Sequence, residues 1–99
     1  MAQEVKITKV LPYSNYAVVE WEENGDFKWV ACWSPWIVER DYNGNLTERR
    51  PSLDDYGKTV QMYWGQGHYF RYIEDALLYA IDRETEAFES NTRWLEDSI

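Results

Sequence analysis

Few side chains in this sequence have the types and spacing that nucleophilic or acid–base catalysis requires. The chain has one histidine, His68, and one cysteine, Cys32, and it lacks a Gly-x-Ser-x-Gly segment. Cys32 falls on the predicted core face of a strand, where a thiol serves packing rather than reactivity. His68 is expected at a strand end as a surface or hydrogen-bonded residue, and no distant partner can be assigned to the neighbouring acids Asp54 and Asp55. The sequence therefore predicts a non-enzymatic protein, and an acid–base site on His68 and either aspartate is a third hypothesis.

One segment has a pattern similar to a calcium loop. Asp41–Thr47 carries oxygen-bearing side chains at positions 1, 3, 5 and 7 of that pattern. However, Leu46 stands where the pattern has glycine, and Ser52 stands where it has glutamate. A hairpin turn at Asn43-Gly44 explains the same residues more simply. A single cysteine also excludes an intrachain disulfide and a cysteine-based zinc site, so we expect neither a metal nor a cofactor.

Charge is the most distinctive property of the composition. The 18 acidic and 10 basic residues give a formal net charge of −8 and a pI of about 4.5. Eight acids but only two bases fall between Glu74 and Ile99, so this last quarter carries −6 and the remainder −2. An acidic chain lacks the basic face that binding to phosphates or anionic lipids needs. We therefore expect no direct contact with nucleic acid or membrane, and a protein partner with a basic surface instead.

Apolar residues near the C-terminus recur at helical spacing and predict a helix from about Tyr72 to about Glu89. The apolar stripe consists of Ile73, Leu77, Ala80, Ile81 and Phe88. Four acids fall within about 60° of one another on the opposite side of this helix. These acids are Asp75, Asp82, Glu86 and Glu89. Glu84 interrupts the apolar stripe, and we expect the helix to overhang the sheet there, because burying an unpaired carboxylate is costly. A pair with Arg71 or Arg93 is the alternative.

Asn24-Gly25 is the clearest turn signal. It predicts a two-residue type I′ loop between strands Tyr16–Glu23 and Asp26–Trp33, since both turn positions need positive φ. Counting outward from the loop places Val19 opposite Val30. One face of this hairpin is then the core face, with Ala17, Val19, Trp21, Val30 and Cys32. The other face is aromatic with an acidic edge, and it includes Glu20, Glu22, Trp29 and Trp33.

The remaining segments complete an α+β reading. Strands are also predicted at Val5–Leu11, Trp36–Arg40, Leu46–Arg49, Lys58–Trp64 and His68–Arg71, with a second hairpin turn at Asn43-Gly44. We expect residues 1–99 to form a single domain, an antiparallel sheet of about 4–6 strands packed by one long C-terminal helix. The first residues do not resemble a signal peptide, and no apolar run approaches the ~20 residues that span a membrane. These features indicate a cytoplasmic protein.

Tryptophan and tyrosine, with 6 and 8 copies, are the other distinctive feature. Trp21 and Trp64 are assigned to the core. Five further aromatics form either core under the helix or an exposed platform: Tyr16, Phe27, Trp29, Trp33 and Trp36. An exposed platform favours protein anchoring or carbohydrate binding, whereas base stacking conflicts with the negative charge.

In size, acidity and compactness the chain resembles the small inhibitors that bacteriophages encode against host defence or host nucleic-acid enzymes. This resemblance implies an anti-defence protein, such as an anti-CRISPR protein, that acts as a DNA mimic on a basic, nucleic-acid-handling surface of a host protein. Four carboxylates over ~21 Å of helix compare with about twelve phosphates on the same length of duplex, so the first hairpin must contribute. The predicted partner-binding residues are Asp75, Asp82, Glu86, Glu89, Glu20, Glu22, Trp29 and Trp33. A small aromatic-platform module that binds a ligand or carbohydrate is the alternative, and the oligomeric state is open.

Overall fold

A computed structural model of the chain describes residues 1–97, with side chains through Ser90. Its strands are β1 (Gln3–Leu11), β2 (Tyr16–Glu20), β3 (Trp29–Trp33), β4 (Trp36–Arg40), β5 (Leu46–Arg49), β6 (Thr59–Tyr63) and β7 (Gln66–Phe70). One helix, α1, spans Ile73–Asp97, and short 3-10 segments occupy Glu22–Phe27 and Leu53–Asp55. The α+β class is confirmed, although the sheet has more strands than expected and α1 continues past Glu89. Within the described chain, α1 is too polar to serve as a membrane-crossing helix.

The strands form one antiparallel sheet that folds over on itself. Their order is β5-β4-β6-β1-β2-β3-β7. Only Ser34-Pro35 separates β3 from β4, and these two strands pair with β7 and β6 in one continuous register. Trp33 lies opposite Gln66 before the bend, and Trp36 lies opposite Tyr63 after it. The β3–β7 pair at one end of the sheet and the β4–β6 pair, which lies next to the edge strand β5 at the other end, are therefore halves of a single bent strand pair. The sheet consequently curls into a barrel-like form.

The concave face of the sheet forms an inner core that the sheet itself covers, since α1 packs on the opposite face. The buried members of this core are Val5, Ile7, Val10, Val19, Val30, Cys32, Ile37 and Met62. They come from both halves of the bent strand pair and from β1 and β2. The predicted core face of the first hairpin is confirmed at four fully buried positions: Ala17, Val19, Val30 and Cys32. Trp21 and Trp64, which were assigned to the core, are only half-buried at its edge.

Helix α1 packs on the convex face and creates an outer core. Its buried members are Leu11, Tyr16, Val18, Ala31, Ala76 and Ala80. The helix contributes two alanines at the centre of this contact because small side chains let it approach the bulky Tyr16 and Trp29 of the sheet. The predicted apolar stripe is confirmed at Ala80, which is fully buried, and at Leu77, which packs against this core. It is wrong for Ile81 and Phe88, which are 41% and 50% exposed.

The first hairpin has the predicted register but not the predicted loop. Val19 lies opposite Val30. The type I′ turn is wrong, because a 3-10 segment, Glu22–Phe27, connects the strands and Gly25 alone in it has positive φ. The Asn24 side chain donates a 2.7 Å hydrogen bond to the Phe27 carbonyl. This local bond stabilises the longer loop, because asparagine side chains can bond to nearby backbone groups in place of the backbone bonds of a regular turn.

The hairpin at Asn43-Gly44 is confirmed, and it accounts for the residues of the calcium-like pattern. Gly44 has a φ of 86°. A carboxylate oxygen of Asp41 accepts backbone N–H bonds from Asn43 (2.9 Å) and Asn45 (3.0 Å). The carboxylate therefore organises the turn.

Glu84 attaches α1 to the turn between β1 and β2. The expected overhang is wrong, because the Glu84 carboxylate accepts hydrogen bonds from Tyr13 N (2.8 Å) and from Ser14 N (3.1 Å) and Oγ (2.9 Å). Arg71 does not bond it, and the side chain of Arg93 lies outside the described ones. The sequence pattern could not identify these partners, since two of the three donors are backbone amides of a distant turn.

Asp55 is the single buried ionised side chain among the described residues, with 1% of its surface exposed. Both of its oxygens accept 2.8 Å hydrogen bonds from the Arg49 guanidinium, and Ser52 N donates a third at 2.8 Å. Hydrogen bonding from Arg49 is the main cause that holds the pKa of Asp55 well below its ordinary range, and burial opposes it. This pair ties the end of β5 to the segment that leads into β6.

We expect Asp55→Asn to lower the free energy of unfolding by about 3 kcal/mol, because it leaves the Arg49 guanidinium without its buried partner. The pKa of Asp55 is lower in the folded than in the unfolded state. Its contribution is therefore complete above about pH 5 and is lost as the pH falls below about 4. Urea unfolding at neutral and acidic pH measures both effects. The exposed neighbour provides a control, and equal stability of Asp54→Asn and Asp55→Asn would contradict the assignment.

For Glu84→Ala we expect a loss of about 1–2 kcal/mol and faster hydrogen exchange at the Tyr13 and Ser14 amides. Asp82→Ala removes an exposed acid from the same helix and serves as the matched control. Unchanged amide exchange at the turn in Glu84→Ala would show that the carboxylate does not hold the helix there.

Candidate functional site

The four predicted acids of the helix all lie on its solvent side. Asp75, Asp82, Glu86 and Glu89 are exposed, whereas Ala76 and Ala80 face the sheet. Glu86 lies 3.4 Å from Arg83 across an exposed ion pair, a type of contact that contributes little to stability. These carboxylates are therefore accessible to a partner.

Apolar side chains flank these acids. Leu78, Ile81 and Phe88 are 62%, 41% and 50% exposed, and the Phe88 ring also packs edge-on against Tyr13, with centroids 5.3 Å apart. At about 100° per residue they fall within about 80° of one another, directly beside Asp82 and Glu89. We call this side of α1 the helix surface; it comprises Asp75, Leu78, Ile81, Asp82, Glu86, Phe88 and Glu89. Sequence reasoning missed its apolar part because the helical period matched a core stripe.

The hairpin acids line a separate groove. This hairpin groove has a volume of about 430 Å³ and is lined by Glu4, Val5, Lys6, Glu20, Glu22, Glu23 and Thr59. Glu20 forms a 3.2 Å ion pair with Lys28, and Glu22 is exposed. Although four carboxylates line the groove, no set of three or more His, Cys, Asp or Glu side chains in the described part of the chain is placed to hold a metal ion.

The structure does not bring all predicted site residues into one cluster. Glu20 pairs across the sheet with Trp29, which pairs with Phe70, so the hairpin groove lies at the end of the sheet where α1 begins. Glu86 and Glu89 lie just after Glu84, the helix residue that contacts the β1–β2 turn at the opposite end of the sheet. The acids therefore form two areas, the hairpin groove and the helix surface.

The two tryptophans that were predicted to bind a partner, Trp29 and Trp33, have different environments. Trp29 is half-buried in the outer core, with the Lys28 ammonium 5.6 Å from its ring centroid. Trp33 is 44% exposed and can contact a partner. The Arg50 guanidinium covers Trp36 at 3.8 Å from the ring centroid. These rings therefore do not form one exposed platform.

The candidate catalytic groups occupy unrelated places. Cys32 lies on the inner face, where burial raises the pKa of its thiol well above the ordinary value. His68 lies opposite Ala31 on the outer face, and its Nε2 is 2.9 Å from the Tyr79 hydroxyl. Asp55 is held as a carboxylate by Arg49. Cys32, His68 and Asp55 therefore do not lie together in the structure.

The candidate site therefore consists of two exposed surfaces, the helix surface and the hairpin groove. The helix surface combines acidic and apolar side chains, and the hairpin groove adds acids at the far end of the sheet.

Comparisons of the chain with protein-family models, with curated proteins and with solved structures find no match.

Proposed function

We propose that this chain is a non-enzymatic, cytoplasmic binding protein whose helix surface docks on a basic surface of a protein partner. The observation that carries the proposal is the presence of four carboxylates and the large apolar side chains of Leu78 and Ile81 on one exposed side of α1, with the half-exposed Phe88 beside them. A helix face that is simply exposed to solvent would explain the acids but not the exposed apolar side chains. Burying the apolar side chains against a partner would be favourable, at about 25 cal/mol per Å², and the adjoining carboxylates select a partner with basic groups.

The net charge of −8 supports long-range attraction to such a partner. Electrostatic steering of this kind raises the association rate and makes it sensitive to salt. The hairpin groove, at the other end of the sheet, extends the acidic area beyond the helix. A partner that matches both acidic areas would carry an extended basic surface, which is typical of proteins that handle nucleic acid.

Occupation of that surface would exclude the nucleic acid that normally binds there. Because the helix carries far fewer charges than a duplex of the same length, we assign much of the affinity to its apolar residues and to Trp33. Bacteriophage anti-defence inhibitors, including anti-CRISPR proteins, are the most concrete version of this proposal. Size and acidity support that version.

A charge-reversal pair tests the role of the helix acids. Asp82→Lys/Glu86→Lys and the control Asp26→Lys/Asp54→Lys each replace two exposed acids and change the net charge equally. In affinity capture from a lysate of the source cells, we expect the helix variant to lose partner recovery by about tenfold or more. The control should lose little, and added duplex DNA or RNA should compete with the unaltered protein. Equal recovery by both variants would contradict the proposal.

Leu78→Ser tests the apolar part of the helix surface. We expect it to accelerate dissociation from the captured partner by about tenfold, with an unchanged dependence of the association rate on salt. Surface plasmon resonance separates these two rates. A change confined to the association rate would show that Leu78 is not buried in the complex.

A further inference from the structure

An aromatic pocket lies at the open end of the barrel-like sheet, outside the helix surface. Gln3, Trp21, Trp64 and Tyr69 follow the inner-face alternation of their strands and so surround the mouth of the inner core. The cavity has a volume of about 230 Å³, and Met1 and Tyr63 complete its lining. We call it the mouth pocket.

The rings of the mouth pocket are set at angles to one another. The Trp21 and Trp64 centroids are 5.6 Å apart with an interplanar angle of 77°, and the Trp21 and Tyr69 centroids are 6.3 Å apart at 46°. A sugar stacks best on one flat, exposed ring. Rings that converge from several directions instead surround a compact group, and the π faces of tryptophan and tyrosine attract cations.

Gly67 allows two of these rings to approach the strand. A β-carbon at this position would lie 2.7 Å from the Tyr69 hydroxyl oxygen and 2.8 Å from Trp64 Nε1. Any larger residue at position 67 would therefore displace both rings. The pocket depends on this glycine for its shape.

Among the described side chains, no lysine or arginine is stacked on a ring of the mouth pocket. The described side chains include four cation–ring contacts, on Trp29, Trp36, Phe27 and Tyr79. None of these involves a ring of the mouth pocket. The Trp21 N–H is also buried without an acceptor among the described residues. Such an unsatisfied donor costs about 1–3 kcal/mol, so this N–H is available to a ligand that also carries an acceptor oxygen. Arg83 Nε, outside the pocket, is likewise without a partner among the described residues.

The hairpin groove beside the pocket has a net negative charge, with four glutamates and one lysine in its lining, although Glu20 is paired with Lys28. Trp21 lies between Glu20 and Glu22 in the chain, and Gln3 precedes Glu4. All three glutamates line the neighbouring hairpin groove. The lining residues of the mouth pocket themselves include no acidic or basic side chain. An ordinary lysine ammonium, which is strongly hydrated, would lose its water there without gaining a carboxylate.

We propose that the mouth pocket binds an alkylated ammonium group, either on a small molecule or on a methylated lysine side chain. The methyl groups would contact the rings of Trp21, Trp64 and Tyr69, and the nearby glutamates would add long-range attraction. The proposal uses residues outside the helix surface and does not rest on the proposed function.

Choline and its neutral isostere 3,3-dimethylbutan-1-ol test the proposal on the unaltered protein. We expect choline to shift the indole N–H signals of Trp21 and Trp64 saturably in NMR spectra, with the signals of Trp33 and Trp36 unmoved. The isostere should bind about tenfold more weakly, since it has the same shape without the charge. Equal binding of the two compounds, or no saturable shift with choline, would overturn the proposal.

Gly67→Ala is the sharpest variant, because it displaces the rings and deletes none of them. We expect at least a tenfold loss of choline affinity in Gly67→Ala, and little change in Trp33→Leu, which removes an indole outside the pocket. Asp82→Lys/Glu86→Lys should bind choline normally, so failure of the pocket and failure of the helix surface are distinguishable. Unchanged choline binding by a folded Gly67→Ala protein would overturn the assignment.

A peptide that carries trimethyl-lysine, compared with the same peptide carrying unmodified lysine, identifies the source of the group. Tighter binding of the methylated peptide than of choline indicates a protein ligand. Binding no tighter than that of choline indicates a small molecule. Preference for the unmodified peptide would contradict recognition of an alkylated ammonium.

Discussion

The bend between β3 and β4 determines how this small chain buries two sheet faces with one helix. Ser34 takes a positive φ there, and the strand pair continues on the far side of the bend in the same register. Because one half of this strand pair lies at one end of the sheet and the other half lies next to the edge strand β5 at the opposite end, the sheet must close on itself. The inner core then forms without a covering layer, and α1 is needed only on the convex face.

The exposed features of the protein follow from that closure. Helix α1 contacts the sheet through Ala76 and Ala80 and is attached at its middle by Glu84. Its other side therefore faces solvent, with Leu78 among its exposed residues. The barrel-like sheet also has an open end, and the large rings of Trp21 and Trp64 lie at that opening. The helix surface and the mouth pocket are thus both products of how the sheet is folded.

Local patterns in the sequence predict much of the fold. Alternation about Asn24-Gly25 gave the correct pairing of Val19 with Val30 even though the loop is not the predicted turn. Turn residues also identified the hairpin at Asn43-Gly44, because both features depend on neighbouring residues. The orientation of α1 was predictable only in part. Helical spacing correctly placed Leu77 and Ala80 toward the sheet, but it also placed Ile81 and Phe88 there, and the structure leaves these two residues largely exposed.

The candidate site was predictable in its charge and not in its shape. Asp82 and Glu86 lie on the exposed side of the helix, as the helical period predicts. The aromatic lining of the mouth pocket was not predicted, because Trp21, Trp64 and Tyr69 come together only when the sheet closes. Glu84 similarly has its partners in a turn about 70 residues away along the chain.

The central claim is that the helix surface is the part of the protein that a partner covers. Carboxylate footprinting of the free protein and of its complex, read by mass spectrometry, tests it most directly. We expect Asp75, Asp82, Glu86 and Glu89 to become protected in the complex, and Asp54 to react equally in both states. Full reactivity of the helix acids in the complex, with protection elsewhere, would contradict the account.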